Sequence, residues 1–142
     1  AGTVHVLGLV LFLKGLEYCY RNLDAHLDIA HWVEDFRNYN DRLVVVSAPG
    51  DDSHLWNTVV ISILGNTAHD VMMALDMKNI AISTGSACST GAFEPSHSIV
   101  ALGLSNDITR SAIRISFGYP TSKSDLVHVK DGILDFFNYK TF

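Results

Sequence analysis

Two stretches of this chain alternate with a period of two. In Thr58–Ile63, the side chains of Val59, Ile61 and Ile63 share one face, and Thr58, Val60 and Ser62 share the other. In Ser111–Phe117, Ile113, Ile115 and Phe117 face one way while Arg114 and Ser116 face the other. Strands of this kind need a sheet with one covered face, since successive side chains point to opposite sides. Helices must supply the cover.

The remaining segments read as that cover and its connections. Leu43–Ser47 is a β-branched run stopped by Pro49-Gly50-Asp51-Asp52, and Ile80–Ser83 is a further short strand. From His5 to Tyr20, apolar residues recur at helical spacing through Leu9, Phe12, Leu13, Leu16, Cys19 and Tyr20. Cys19 lies on that stripe and is expected to be core packing, resistant to alkylation. After a restart at Asn22-Leu23-Asp24, a second helix continues through Leu27, Ala30, Trp32, Val33 and Phe36. Thr67, with Asp70 three residues on, resembles a capping box ahead of Val71, Met72, Leu75 and Met77. A short helix is expected from Pro95 to Gly103, and a closing helix after Ser122 or Ser124 carries Leu126, Val127, Ile133, Leu134 and Phe137.

The order ααβ-β-α-β-α-β-α predicts an α/β domain of α+β character. Its small sheet is mixed or antiparallel and covered by helices on one face, with a long helical segment in front. Residues 1–40 form that helical segment and residues 41–142 the small α/β domain.

Composition narrows the function. With 48% apolar and 18% charged residues the chain is globular, and a net charge of −5 without basic clusters argues against nucleic acid. The apolar run Val6–Leu13 is closed by Lys14 and is much shorter than the roughly 20 residues that span a bilayer, so no membrane is expected. Cys19 and Cys88 lack paired spacing, which fits a reducing compartment, the cytoplasm or an organelle matrix, and gives no metal signature. The opening Ala1-Gly2-Thr3 reads as the edge of an excised piece of something longer.

Two residues carry chemistry. In Ser83-Thr84-Gly85-Ser86-Ala87-Cys88-Ser89-Thr90-Gly91 a cysteine sits among small residues on a loop between a strand and a helix, where the sulfur is unshielded. Nothing basic adjoins Cys88 in sequence, so its thiol is expected near the ordinary value. Arg114, at mid-strand between two isoleucines, needs an anionic partner if buried; its planar fork suits bidentate capture of a carboxylate, and an internal ion pair is the alternative. His97, nine residues past Cys88, reads as a capping or surface residue before a base. His26 and His31 do not share a helix face, so no metal site is expected there.

The cysteine loop, Glu94-Pro95-Ser96-His97, Ala101-Leu102-Gly103-Leu104 and Ile113-Arg114-Ile115-Ser116-Phe117-Gly118 together resemble the C-terminal part of cysteine desulfurases. These are the NifS/IscS-type group of the class V, fold-type I pyridoxal-phosphate enzymes. Asn57–Ser62 and Ala74-Leu75-Asp76-Met77-Lys78 match in the same order, and the opening resembles the segment before the long inter-domain helix.

The resemblance implies a cofactor, pyridoxal 5'-phosphate, and roles for three residues. Cys88 accepts sulfur from L-cysteine as a persulfide, with L-alanine released, and Arg114 clamps the substrate carboxylate. Thr3 reaches the cofactor phosphate of the second subunit of a homodimer. It further implies an acceptor protein for sulfur, in iron–sulfur cluster assembly or another sulfur-transfer route.

The chain departs from the family at Gly118-Tyr119-Pro120-Thr121-Ser122, where relatives commonly carry Gly-Arg and a threonine pair. Nothing in it resembles the segment with the Schiff-base lysine, so the large cofactor-binding domain is expected elsewhere. The chain alone is expected to be inactive. Two other readings are a non-catalytic sulfur carrier or assembly module, and another class V lyase or aminotransferase.

Overall fold

The computed structural model describes residues 2–21, 28–50, 54–84 and 97–139. Strands β1 (Leu43–Ser47), β2 (Thr58–Ile63), β3 (Ser83–Thr84) and β4 (Ala112–Ser116) form one sheet. Its spatial order is β1-β2-β4-β3, and every neighbouring pair is antiparallel. The helices are α1 (Val6–Arg21), α2 (Ile29–Arg37), α3 (Ala68–Asp76), α4 (His97–Val100), α5 (Asn106–Ser111) and α6 (Lys123–Tyr139).

Alternation in β2 and β4 builds the core. Val59, Ile61, Ile63 and Ile113 are fully buried, with Ile115 and Phe117 nearly so. Against them pack Ile29, Trp32, Val33 and Phe36 of α2, Val71 and Leu75 of α3, and Leu126, Ile133, Phe136 and Phe137 of α6. Each such side chain contributes about 1.5–3 kcal/mol by leaving water. Trp32 ties two of the helices together. Its indole Nε1 donates to the Leu126 carbonyl at 2.9 Å, and its ring meets Phe36 and Phe117 edge-on. Gly132 lets α6 come close to the exit of α3, since a methyl group there would lie 2.5 Å from Ile80 Cδ1.

The expected cap of α3 forms: Thr67 Oγ1 accepts the Asp70 N–H at 3.2 Å. Thr67→Ala should therefore cost about 1 kcal/mol, read as a lower urea midpoint at unchanged slope. At the other end, Asn79 takes a φ of 59° and the Ile80 N–H returns to the Leu75 carbonyl at 3.0 Å. Asparagine tolerates this left-handed exit. Ile80 thus belongs to the end of α3, and the strand expected over Ile80–Ser83 shrinks to Ser83–Thr84.

Of the two serines considered as the start of α6, Ser122 is the cap. Its Oγ accepts the Asp125 N–H at 3.2 Å, and the Asp125 carboxylate accepts the Ser122 N–H and hydroxyl, each at 2.8 Å. These bonds, that from the Ser122 N–H foremost, hold the Asp125 carboxyl below its ordinary range. A hydrogen bond from Lys130 does the same for Asp35. A carboxylate with a depressed folded pKa stabilises the fold above its unfolded pKa and loses that contribution as pH falls. The urea midpoint should accordingly drop as pH is lowered below about 4. In Asp125→Asn the drop should be shallower.

Two further features differ from expectation. Helix α5 was not anticipated, because six residues show too little periodicity; Ser105 caps it by accepting the Ile108 N–H at 3.4 Å. It buries Ser62, whose hydroxyl donates to the Ile108 carbonyl at 2.7 Å, so one end of the second sheet face is covered as well.

Helix α1 forms as expected but buries none of its residues, and Cys19 is exposed, which corrects its assignment to the core. The first two turns of α1 carry no charged side chain, while Lys14, Glu17 and Arg21 mark a polar face along its second half. Leu7, Leu9, Val10, Leu11, Phe12 and Leu13 are all exposed, so its stripe does not point at this core. Resistance to alkylation is therefore not expected of Cys19 in this chain. No helix among the described residues is long and apolar enough to cross a membrane.

Candidate substrate-binding site

Arg114 stands on β4, an inner strand of the sheet, opposite Val60 of β2 and Ser83 of β3. Its neighbours Ile113 and Ile115 point into the core, so its own side chain points out, and it is exposed. The guanidinium Nη2 donates to Ser83 Oγ at 3.4 Å, a long contact and the one hydrogen bond Arg114 makes from its side chain among the described residues. Among the described residues no carboxylate pairs with Arg114. The desolvation cost of a buried arginine does not arise, and the internal ion pair is not formed there. A fixed strand therefore offers a solvent-facing fork to an anion from outside.

Strand β3 leads from Ser83 towards Cys88, five residues further along the chain. Five residues reach at most roughly 18 Å. Cys88 itself lies outside the described residues, as does the expected helix start at Pro95. Thr3 precedes α1 and is exposed, and no hydrogen bond joins it to Arg114. His97 opens α4, also exposed. Neither is brought to Arg114 by a contact among the described residues.

Sequence reasoning missed two contacts. Ser83 is the cross-strand partner of Arg114, hidden because local spacing does not give the register between strands. Tyr119 reaches back to α1, where its hydroxyl donates to the Cys19 carbonyl at 3.1 Å. The signal for it was the departure at Gly118-Tyr119-Pro120.

The lysines bear on the implied cofactor. Lys14 pairs with Glu17, Lys78 with Asp135 and Lys130 with Asp35, while Lys123 opens α6 in solvent. A Schiff-base lysine is an unpaired amine whose pKa an enclosed site depresses. These four do not fit that group. Among the described residues no cluster of His, Cys, Asp or Glu could hold a metal ion. A groove of about 770 Å³ between α3 and α6, lined by Ala74, Met77 and Tyr139 among others, contains none of the candidate residues.

This chain belongs to the class-V aminotransferase family, whose model matches residues 1–129. That family is in general pyridoxal-phosphate dependent.

Among its relatives, the cysteine desulfurase IscS of Dictyoglomus turgidum is 29% identical over 134 residues, covering 92% of this chain and 34% of that protein. The IscS of Acinetobacter baumannii is 44% identical over 57 residues, covering 40% of this chain and 14% of that protein. The solved structure of a NifS-like protein from Rickettsia africae superposes with a TM-score of 0.76 at 21% identity. It covers 97% of this chain and 36% of that one. The chain spans about a third of the length of relatives matched along most of it.

Proposed function

We propose that this chain is the C-terminal small domain of a cysteine desulfurase, with residues 1–40 as the inter-domain helical segment and 41–142 as the small α/β domain. The observation that carries the reading is Arg114, an outward guanidinium with no carboxylate partner among the described residues, on the strand paired with the one leading to Cys88. The naming of the relatives supports it.

In this reading Arg114 holds the carboxylate of L-cysteine and Cys88 takes its sulfur. Pyridoxal phosphate is held by polypeptide outside this chain and supplies the electron sink that makes the substrate reactive. The Cys88 thiolate attacks the substrate sulfur and a sulfur–sulfur bond forms. The carbon–sulfur bond breaks, its electron pair stays on carbon, and protonation there gives L-alanine. No outside oxidant is needed. Thr3 serves the cofactor phosphate of a neighbouring subunit, and a sulfur-acceptor protein collects the persulfide, in the cytoplasm or an organelle matrix.

The test is the full-length protein with L-cysteine, which should release one alanine for each sulfur transferred. The 142-residue chain alone should release none and show no Schiff-base absorbance with pyridoxal phosphate. Sulfur carried without alanine release by the full-length protein would favour the non-catalytic carrier instead. A borohydride-sensitive band mapping to a lysine of this chain would overturn the assignment of the cofactor to the remainder.

A further inference from the structure

We propose that Tyr119 is a positioning residue, which with Tyr18 and Trp56 latches the C-terminal turn of α1 to the end of the β2–β4 ladder and so fixes the strand that carries Arg114. Its bearing on substrate rests on the desulfurase reading; the latch itself does not.

Helix α1 buries none of its residues, yet its last turn is held. Cys19 lies within the final four residues of α1, whose carbonyls have no partner inside the helix. The Tyr119 hydroxyl, donating at 3.1 Å, satisfies one of these carbonyls. The Tyr119 ring meets Tyr18 edge-on, with centroids 5.7 Å apart and an interplanar angle of 86°, and meets Trp56 at 5.8 Å and 53°. Edge-on and tilted pairs at these separations are attractive beyond the area they bury.

The other side of the latch is anchored to the sheet. The Phe117 N–H donates to the Asn57 carbonyl at 2.8 Å, and Asn57 Nδ2 donates to the Phe117 carbonyl at 3.1 Å. Residues 56 and 57 thereby hold residues 119 and 117, so the exit of β4 is fastened twice, within five residues of Arg114. A displacement of α1 is passed through Tyr119 to the strand that presents the guanidinium.

Tyr119→Phe and Tyr119→Ala in the full-length protein test this with two readouts. Hydrogen exchange of the last turn of α1 should quicken roughly two- to tenfold in Tyr119→Phe, as for one neutral hydrogen bond, and more in Tyr119→Ala. The KM for L-cysteine should rise in the same order, with kcat within about twofold, because a misplaced fork weakens binding and leaves the reacting sulfur untouched. Unchanged exchange in Tyr119→Ala refutes the latch. Quickened exchange with an unchanged KM refutes the positioning role. If the wild-type protein does not turn over cysteine, the desulfurase reading and the positioning role built on it both fall, and exchange alone still decides the latch.

Discussion

Replacing Cys88 by serine in the full-length protein is expected to leave substrate binding intact and to abolish sulfur release. Attack on a sulfur atom needs a soft, partly ionised nucleophile. Thiols near their ordinary pKa of about 8.5 provide a few per cent of thiolate at neutral pH, whereas a serine hydroxyl provides essentially no anion. The loss should appear as absent alanine production, with cysteine still bound. Alanine release at the wild-type rate in Cys88→Ser would remove this residue from the reaction.

Arg114→Ala has the second largest expected effect. The guanidinium presents a fork on an inner strand, and the Ser83 hydroxyl at 3.4 Å takes up little of it. Losing a charge-assisted contact to a carboxylate costs about 1.5–3 kcal/mol, on the order of tenfold to a few hundredfold in kcat/KM, carried mainly by KM. Folding should be nearly unaffected, because no carboxylate among the described residues pairs with this arginine. Arg114→Lys should recover only part of the loss, since an ammonium is a point charge without the planar fork. A lysine variant equal to the wild type would refute the carboxylate clamp.

Much of this fold was legible in the chain because its strands alternate cleanly. Ile113, Ile115 and Phe117 against Arg114 and Ser116 define a buried and an open side, and the structure places them so. The Thr67 cap was readable for a similar reason, and the cap of α6 to within Ser122 or Ser124, since capping is local chemistry.

What escaped depends on tertiary context. Ile80 looked like the start of a strand, but Asn79 turns it back onto α3. Ser62 looked solvent-facing until α5 closed over it. Cys19 sat on an apolar stripe, yet α1 buries none of its residues and turns none of that stripe into this core. Periodicity shows that a face is apolar; it does not say which surface covers it. For the site, the residue type and strand position of Arg114 were visible in advance, while its partner Ser83 and the reach of Tyr119 to Cys19 were not. Cross-strand register and ring contacts leave no trace in local spacing.

The most direct test of the account is mass spectrometry of the full-length protein after a single turnover with L-cysteine and no acceptor. The peptide containing Cys88 should gain one sulfur atom, removable by a reducing agent and absent in Cys88→Ser, while the Cys19 peptide gains none. Sulfur found on another residue, with the Cys88 peptide unchanged as alanine is released, would contradict it.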